Sequence, residues 1–183
     1  METARELFLH ELKDMLDAEQ QLVEALGKQA EESSRPELQK AFASHQAQTE
    51  GHVERLQQIF QELGEQAEEN ECHGIRGLLQ EHESFKEEEP SEELMDIFNV
   101  GAAIKVERYE RSSYESLVRM AGELGEKKIA QLLTKTLREE QQTEKKMESF
   151  SKKLKPEQLG VEAEEEAPGR GTRASSRKRK RAA

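Results

Sequence analysis

Polar side chains interrupt the apolar faces of the helices that this sequence predicts, where a helical bundle would be driest. In the first segment, one face is formed at steps of three or four residues by Phe8, Leu12, Met15, Glu19, Leu22 and Leu26. All of these are apolar except Glu19, and a buried carboxylate is costly unless it is paired or bound to a cation. Three later segments carry similar interruptions, so the pattern predicts one shared polar site.

The interrupting residues are of the types that hold two redox-active metal ions between four helices. Such sites use a Glu from each of two helices and a Glu-x-x-His pair from each of the others. Carboxylates bridge the ions and imidazole fills open positions. The predicted ligands of this centre, for two iron or manganese ions, are Glu19, Gln48, His52, Glu107, Glu140 and Glu144. The side chains predicted to support them are His45, Thr49, Glu110 and Tyr114.

Two helices depart from this ligand pattern. Thr49 or Gln48 precedes His52 on the second helix, and Glu140 precedes Glu144 on the fourth, so neither helix carries a literal Glu-x-x-His. Gln48 is neutral and is a poorer ligand than Glu. The centre is therefore expected to be lower in charge than a standard di-metal site, or rearranged around His52.

Two alternatives stay open from the residues alone. The helical register is uncertain by one residue, which keeps Glu110 and Glu139 as alternatives to Glu107 and Glu140. The polar residues could also form a hydrogen-bonded network without metal, in a non-enzymatic structural bundle. Tyr114 fits either interpretation, as a redox partner of a metal or as a core tyrosine that hydrogen-bonds a carboxylate.

The elements that must position these residues are four long helices. Apolar periodicity and helix-ending signals predict helices over residues 3–32, 36–63, 92–122 and 127–154, with a short helix over 75–86. The first and last pairs are joined by short turns, and a long crossover carries the short helix. This order predicts an all-α ferritin-like four-helix bundle over residues 1–156. His82, on the short helix, is predicted at the surface.

The composition fits a bundle of solvated helices. Charged residues are 37% and hydrophobic residues 33% of the 183 residues. The single cysteine excludes an intrachain disulfide. No apolar run approaches the roughly 20 residues that cross a membrane, and the N-terminus is too charged for a secretory signal. These features predict a cytoplasmic protein without a membrane partner.

The C-terminal part of the chain, residues 157–183, predicts a disordered tail that is first acidic and then basic. Residues 167–183 carry seven basic side chains and no acidic one, which leaves about −18 of charge on the rest of the chain. The densest cluster is Arg177, Lys178, Arg179, Lys180 and Arg181. It predicts non-specific contact with nucleic acid through phosphates, or alternatively an electrostatic tail that folds back on the acidic body.

Several sequence motifs resemble the YciE/YciF family of ferritin-like proteins. They are ELKDMLDAEQQLVEAL, AFASHQAQTEGHVERLQQIF, GLLQE after the Cys72 region, IKVERYERSSYESL and TLREEQQTEKKM, and they cover about residues 4–154 in order. The resemblance implies a stress-associated dimeric bundle with a di-metal centre. If the metal is iron or manganese, the expected chemistry is the handling of oxygen or peroxide. The resemblance supports Glu19, Glu107, Glu140 and Glu144 as ligands. The family commonly has Glu in place of Gln48 and often has Gln in place of His52.

Overall fold

The structure, a computed structural model, describes residues 1–68 and 70–154, and this part of the chain contains five helices. They are α1 (Ala4–Glu32), α2 (Pro36–Leu63), α3 (His73–Lys86), α4 (Glu92–Glu123) and α5 (Lys127–Lys153). The four long helices and the short crossover helix α3 confirm the predicted all-α ferritin-like architecture. The bounds of the long helices agree with the prediction to within a residue, and α3 begins two residues earlier.

The ends of the helices follow from local sequence signals. Thr3 and Glu6 form a reciprocal capping box at the start of α1. Pro36 occupies the first turn of α2, where its missing N–H costs nothing. Gly64 ends α2 with a φ of 68°, and Gly125 turns the chain between α4 and α5 with a φ of 79°. This left-handed region is readily open only to glycine, so both turns are fixed locally.

The four long helices pack with neighbouring helices antiparallel. α1 packs along α2 and α4 along α5, and weaker contacts join α1 to α4 and α2 to α5. At one end of the bundle, Arg5 at the start of α1 donates to the carbonyl of Leu63 at the end of α2. At the same end, Lys128 of α5 pairs with Glu62 of α2. The apolar faces of all four long helices enclose one core.

The crossover helix α3 covers the outside of α1 and α4. Ile75 is fully buried, and the ring of Phe85 stacks on Phe98 of α4 with centroids 3.9 Å apart. The prediction that His82 lies at the surface is wrong. His82 is buried, and its Nε2 lies 2.7 Å from Oδ1 of Asn99. A hydrogen-bond partner on another helix compensates for the hydration that the buried imidazole loses. The sequence of α3 does not reveal that partner.

The beginning of α4 differs from the predicted apolar face by one residue. The apolar face that the sequence predicts for this helix begins at Leu94, but Leu94 is exposed, whereas Met95 and Asp96 are buried. Asp96 accepts hydrogen bonds from the backbone N and Oγ of Ser34, at 2.9 and 2.7 Å, and lies 3.4 Å from Nε of Arg35. These partners in the α1–α2 turn satisfy the carboxylate, and this fixes which face of α4 is turned inward.

Two predictions reach beyond the described residues. The predicted disordered tail and its basic cluster lie outside them, as does the proposed domain boundary at residue 156. Within residues 1–68 and 70–154, no helix is both long and apolar enough to cross a membrane.

Candidate metal centre

The polar interruptions meet at one level in the middle of the bundle. Glu19 comes from α1, His45 and His52 from α2, Glu107 from α4 and Glu140 from α5. Three of these side chains are fully buried carboxylates, and the two histidines are at most 4% exposed. His45 and His52 share a face because seven residues correspond to about two helical turns. Each long helix therefore contributes at least one group.

The five side chains form two groups of three that share one residue. We call Glu19, His52 and Glu140 the Glu19 trio, and His45, Glu107 and Glu140 the Glu107 trio. In each trio, one potential ligand atom from each residue lies within 4.8 Å of the others. Glu140 belongs to both, so its carboxylate lies between two candidate cation positions. A carboxylate in such a place can bridge two ions.

Distances in the Glu19 trio converge on one ring nitrogen of His52. His52 Nδ1 lies 2.7 Å from Oε1 of Glu140 and 3.4 Å from Oε2 of Glu19. Despite these short distances, Nδ1 is not directed along a hydrogen bond to any of the described residues. We therefore describe the contact with Glu140 as a close approach of charged groups.

The Glu107 trio is more open. His45 Nε2 lies 3.3 Å from Oε1 of Glu107 and 4.0 Å from Oε2 of Glu140. The two oxygens of Glu140 thus face different histidines, Oε1 towards His52 and Oε2 towards His45. This division of one carboxylate between two groups is the geometric reason for treating the centre as two adjoining subsites.

The centre carries many buried polar atoms without partners. Among the described residues, hydrogen-bond partners are lacking for Oε2 of Glu19, both carboxylate oxygens of Glu107 and Glu140, both ring nitrogens of His45, and Nδ1 of His52. Buried polar atoms are nearly always paired in native proteins. Carboxylate oxygen and imidazole nitrogen are also the donors that iron, manganese and zinc accept. The two clusters could therefore hold a metal ion.

The pKa values of the two histidines of the centre are shifted in opposite directions. Burial, together with the nearby positive charge of His52, lowers the pKa of His45 to about 3. Burial also disfavours the charged form of His52, but contacts with the carboxylates of Glu140 and Glu19 outweigh it and raise the pKa of His52 to about 10. His45 is thus neutral at pH 7, whereas a cation that bound at His52 would have to replace a proton.

Burial and neighbouring charges also raise the pKa values of carboxyl groups in and around the centre. Burial raises the pKa of Glu140, and burial reinforced by the charge of Glu140 raises the pKa of Glu107. The pKa of Glu110 is also raised, by complete burial and then by the charges of Glu140 and Glu19. The metal-free centre therefore holds protons that a divalent cation would displace.

Two hydrogen-bonding residues border the Glu19 trio. The hydroxyl of Tyr114, which is fully buried, donates to Oε1 of Glu19 at 2.5 Å. On the other side, His52 Nε2 lies 3.1 Å from Oε2 of Glu139. The sequence predicts Glu139 only as a register alternative to Glu140. In the structure both are at the centre, Glu140 inside it and Glu139 behind His52.

The other predicted residues lie around the two trios. Gln48 accepts a hydrogen bond from the hydroxyl of Thr143 at 3.2 Å and belongs to neither trio. Oε1 of Glu144 accepts from Arg108 at 2.9 Å and Oε2 from Arg111 at 2.6 Å, so both oxygens are engaged outside the trios. Predicted supporting residues Thr49 and Glu110 are buried on α2 and α4.

His45 is the residue whose place differs most from its predicted supporting position, because it belongs to the Glu107 trio. The signal that could have found it is its spacing of seven residues from His52, which places both imidazoles on one face of α2. The ligand roles of Gln48 and Glu144 stay predictions. Their observed partners show what each would have to release in order to bind an ion.

Comparison with known proteins identifies the family. The family described as a domain of unknown function, DUF892, matches residues 3–160 of this sequence. The chain belongs to this family. The YciF protein of Escherichia coli is 37% identical over 148 residues, which are 80% of this chain and 89% of YciF. This confirms the resemblance to the YciE/YciF family seen in the motifs.

Solved structures of relatives share the architecture. The crystal structure of the Escherichia coli stress protein YciF has a TM-score of 0.80 and 34% identity, and the match covers 88% of this chain and 100% of YciF. The YcfI protein of Rhodopseudomonas palustris has a TM-score of 0.79 and 34% identity, with 81% of this chain and 94% of that protein covered. The bundle that positions the two trios is therefore shared with these two relatives.

Proposed function

We propose that this protein is a stress-associated ferritin-like protein that binds two iron or manganese ions in its buried centre and handles oxygen or peroxide. The observation that carries the proposal is the pair of trios that share Glu140, with unpartnered ligand atoms directed inward from all four long helices. The stress association comes from the description of its relative YciF.

Different residues of the chain would hold the two ions of such a centre. Glu19 and His52 would hold one ion, Glu107 and His45 the other, and Glu140 would bridge them. Iron or manganese, when bound, supplies the change of redox state that reduction of oxygen or peroxide requires. The protein contributes the ligands and an apolar surrounding that limits access of water, including Leu22 and Met15 of α1.

A polar network without metal is less well supported. Such a network lowers the free energy of the folded state when its members satisfy one another. Here both oxygens of Glu107 and both nitrogens of His45 have no hydrogen-bond partner within residues 1–68 and 70–154. The cost of burying unpaired polar atoms is about 1–3 kcal/mol for each, and cation binding would offset it.

The first test is elemental analysis of untagged protein purified from its own cells without chelator. The wild-type chain should contain about two iron or manganese ions. Glu140→Ala should remove most of the metal because it belongs to both trios, and Glu19→Ala should remove about half. Glu148→Ala, on the same helix as Glu140 but paired with Arg108 at the surface, is the matched control.

Two results would contradict the proposal. One is unchanged metal content in the Glu140→Ala variant, which would place any bound metal elsewhere. The other is a wild-type chain that contains no metal after purification and takes none up during anaerobic reconstitution with ferrous ion. That second result would favour the non-enzymatic structural bundle.

A further inference from the structure

The two trios differ in how firmly residues outside them hold their ligands. In the Glu19 trio, Tyr114 donates to Oε1 of Glu19, which leaves Oε2 directed inward. His52 Nε2 lies against Glu139, which leaves Nδ1 facing Glu140. Glu19 and His52, the two ligands that belong to this trio alone, are therefore each held by a hydrogen-bonding residue from outside the trio.

The Glu107 trio lacks such supports in the described part of the chain. Neither oxygen of Glu107 and neither ring nitrogen of His45 has a hydrogen-bond partner there. Within the described residues, no hydrogen bond from outside the trio fixes the rotation of this imidazole or of this carboxylate. A cation that binds here must order both groups itself, which costs conformational entropy of the side chains.

Glu139 is itself held in place by an arginine of α2. Arg55 of α2 donates through Nη1 to Oε2 of Glu139 at 2.9 Å and to Oγ1 of Thr136 at 2.5 Å. The Arg55 side chain is only 11% exposed, so this ion pair is less screened than one at the surface. The carboxylate that faces His52 thus has a defined position relative to both α2 and α5.

We infer that Glu139 is a positioning residue that orients His52 and makes the Glu19 trio the first of the two subsites to bind a divalent cation. An imidazole that donates its outer N–H to a carboxylate keeps the other nitrogen free for a metal, in the correct tautomer and ring orientation. Glu139 is placed to do this for His52, from outside the centre, once a cation has displaced the proton of Nδ1. The inference rests on the proposed function, since it assigns an order of binding to the proposed subsites.

The carboxylate of Glu140, which both trios share, then takes part in binding the second ion. Once Oε1 of Glu140 holds an ion in the Glu19 trio, Oε2 still faces His45 at 4.0 Å. The second ion completes the Glu107 trio, but it must order His45 and Glu107 and it is repelled by the first ion. Binding in two distinguishable steps is therefore expected, and the first step is the one that depends on Glu139.

The test uses the chelator-treated full chain with 15N-labelled histidine, titrated with Zn²⁺ as a diamagnetic probe. Calorimetry measures the affinity of each step, and NMR follows the ring nitrogens of the five histidines. His45→Gln and His52→Gln variants assign the two relevant sets of signals. In the wild-type chain, the Nδ1 signal of His52 should shift with the first equivalent and the signals of His45 with the second.

Substitution of Glu139 separates positioning from folding. Glu139→Ala should weaken the first step by about 10- to 100-fold, and the Nε2 signal of Zn²⁺-bound His52 should shift because its N–H loses the carboxylate acceptor. Glu139→Gln retains an oxygen that can accept the N–H and should restore most of the affinity. Glu148→Ala should behave as wild type. Urea denaturation of each metal-free variant checks that it folds.

The outcomes distinguish this inference from the proposed function. If the wild-type chain binds two ions but Glu139→Ala leaves the first step and the Nε2 signal of Zn²⁺-bound His52 unchanged, positioning by Glu139 is overturned and the metal centre stands. If His45 responds before His52, the order of binding is overturned. If the wild-type chain binds no Zn²⁺ at its histidines, both conclusions fail.

Discussion

Single residues set the chemistry of the centre through contacts on opposite sides of one side chain. His52 faces Glu140 and Glu19 with Nδ1 and Glu139 with Nε2. Glu140 likewise divides its two oxygens between two histidines. In the metal-free protein these contacts hold protons in place of cations. The pH dependence of the free energy of unfolding therefore reports how strongly the folded centre holds these protons.

The metal-free protein should lose stability as the pH rises above neutrality. The pKa of His52 is about 10 in the folded protein, against its ordinary 6.5. A raised folded-state pKa contributes stability that is fully present below 6.5 and is lost as the pH approaches 10. Urea denaturation of chelator-treated protein should show the free energy of unfolding falling between about pH 7 and 10, by up to about 1.4 kcal/mol per pH unit.

A variant isolates the contribution of the histidine from that of the overall charge. His52→Gln should show a shallower fall over the same pH range, since it lacks the retained proton. The raised pKa values of Glu107 and Glu110 act in the same direction and remain in the variant. Equal slopes in the wild type and His52→Gln would show that the imidazole is not charged in the folded state.

At the scale of helices, the bundle is aligned by polar ties at its ends as well as by its core. Asp96, at the start of α4, is fully buried and accepts two hydrogen bonds from Ser34 between α1 and α2. This tie joins the two halves of the bundle at the end opposite to the Gly64 and Gly125 turns. It also fixes the rotation of α4, which carries Glu107 to the centre.

Removal of this tie should destabilise the whole bundle. Asp96→Ala leaves two donors of Ser34 without their acceptor, and the expected loss in the free energy of unfolding is roughly 2–4 kcal/mol. Asp96→Asn keeps one oxygen acceptor and should lose less. Urea denaturation of metal-free protein measures both. A change within about 0.5 kcal/mol, as for ordinary surface substitutions, would show that Ser34 and Asp96 do not hold the halves together.

At the scale of the whole chain, charge is divided between an acidic body and a basic end. The net charge is −11, although residues 167–183 carry only basic charges. A basic segment without aromatic residues can bind phosphates but has no side chain on which bases stack. The sequence therefore favours weak, salt-dependent and sequence-independent contact with nucleic acid, if the acidic body does not compete for the tail.

Deletion of residues 167–183 should abolish binding to duplex DNA in a gel-shift assay at low salt. For the full chain, the logarithm of the binding constant should fall with the logarithm of salt concentration with a slope of about −4 to −5, as for five phosphate contacts. Arg170→Gln with Arg173→Gln, outside the densest cluster, should weaken binding only slightly. Equal binding by the truncated and full chains would assign any DNA contact to the bundle.

The sequence by itself determined the helices, their order and the level of the polar site. Periodicity and end signals such as Thr3, Pro36 and Gly64 are local, because a helix is built from interactions within about four residues. The same periodicity placed Glu19, Glu107 and Glu140 on inward faces. His45, one of the two histidines of the trios, was seen as a supporting residue.

Only the tertiary structure decided which partners face each other across helices. The division of Glu140 between His52 and His45, the place of Glu139 behind His52, and the engagement of Glu144 by Arg108 and Arg111 depend on the rotation and axial position of α2, α4 and α5. The rotation of α4 depends in turn on the tie of Asp96 to a turn 62 residues away. Periodicity reports which face of one helix is buried, but hydrogen-bond geometry is set by two or more helices together.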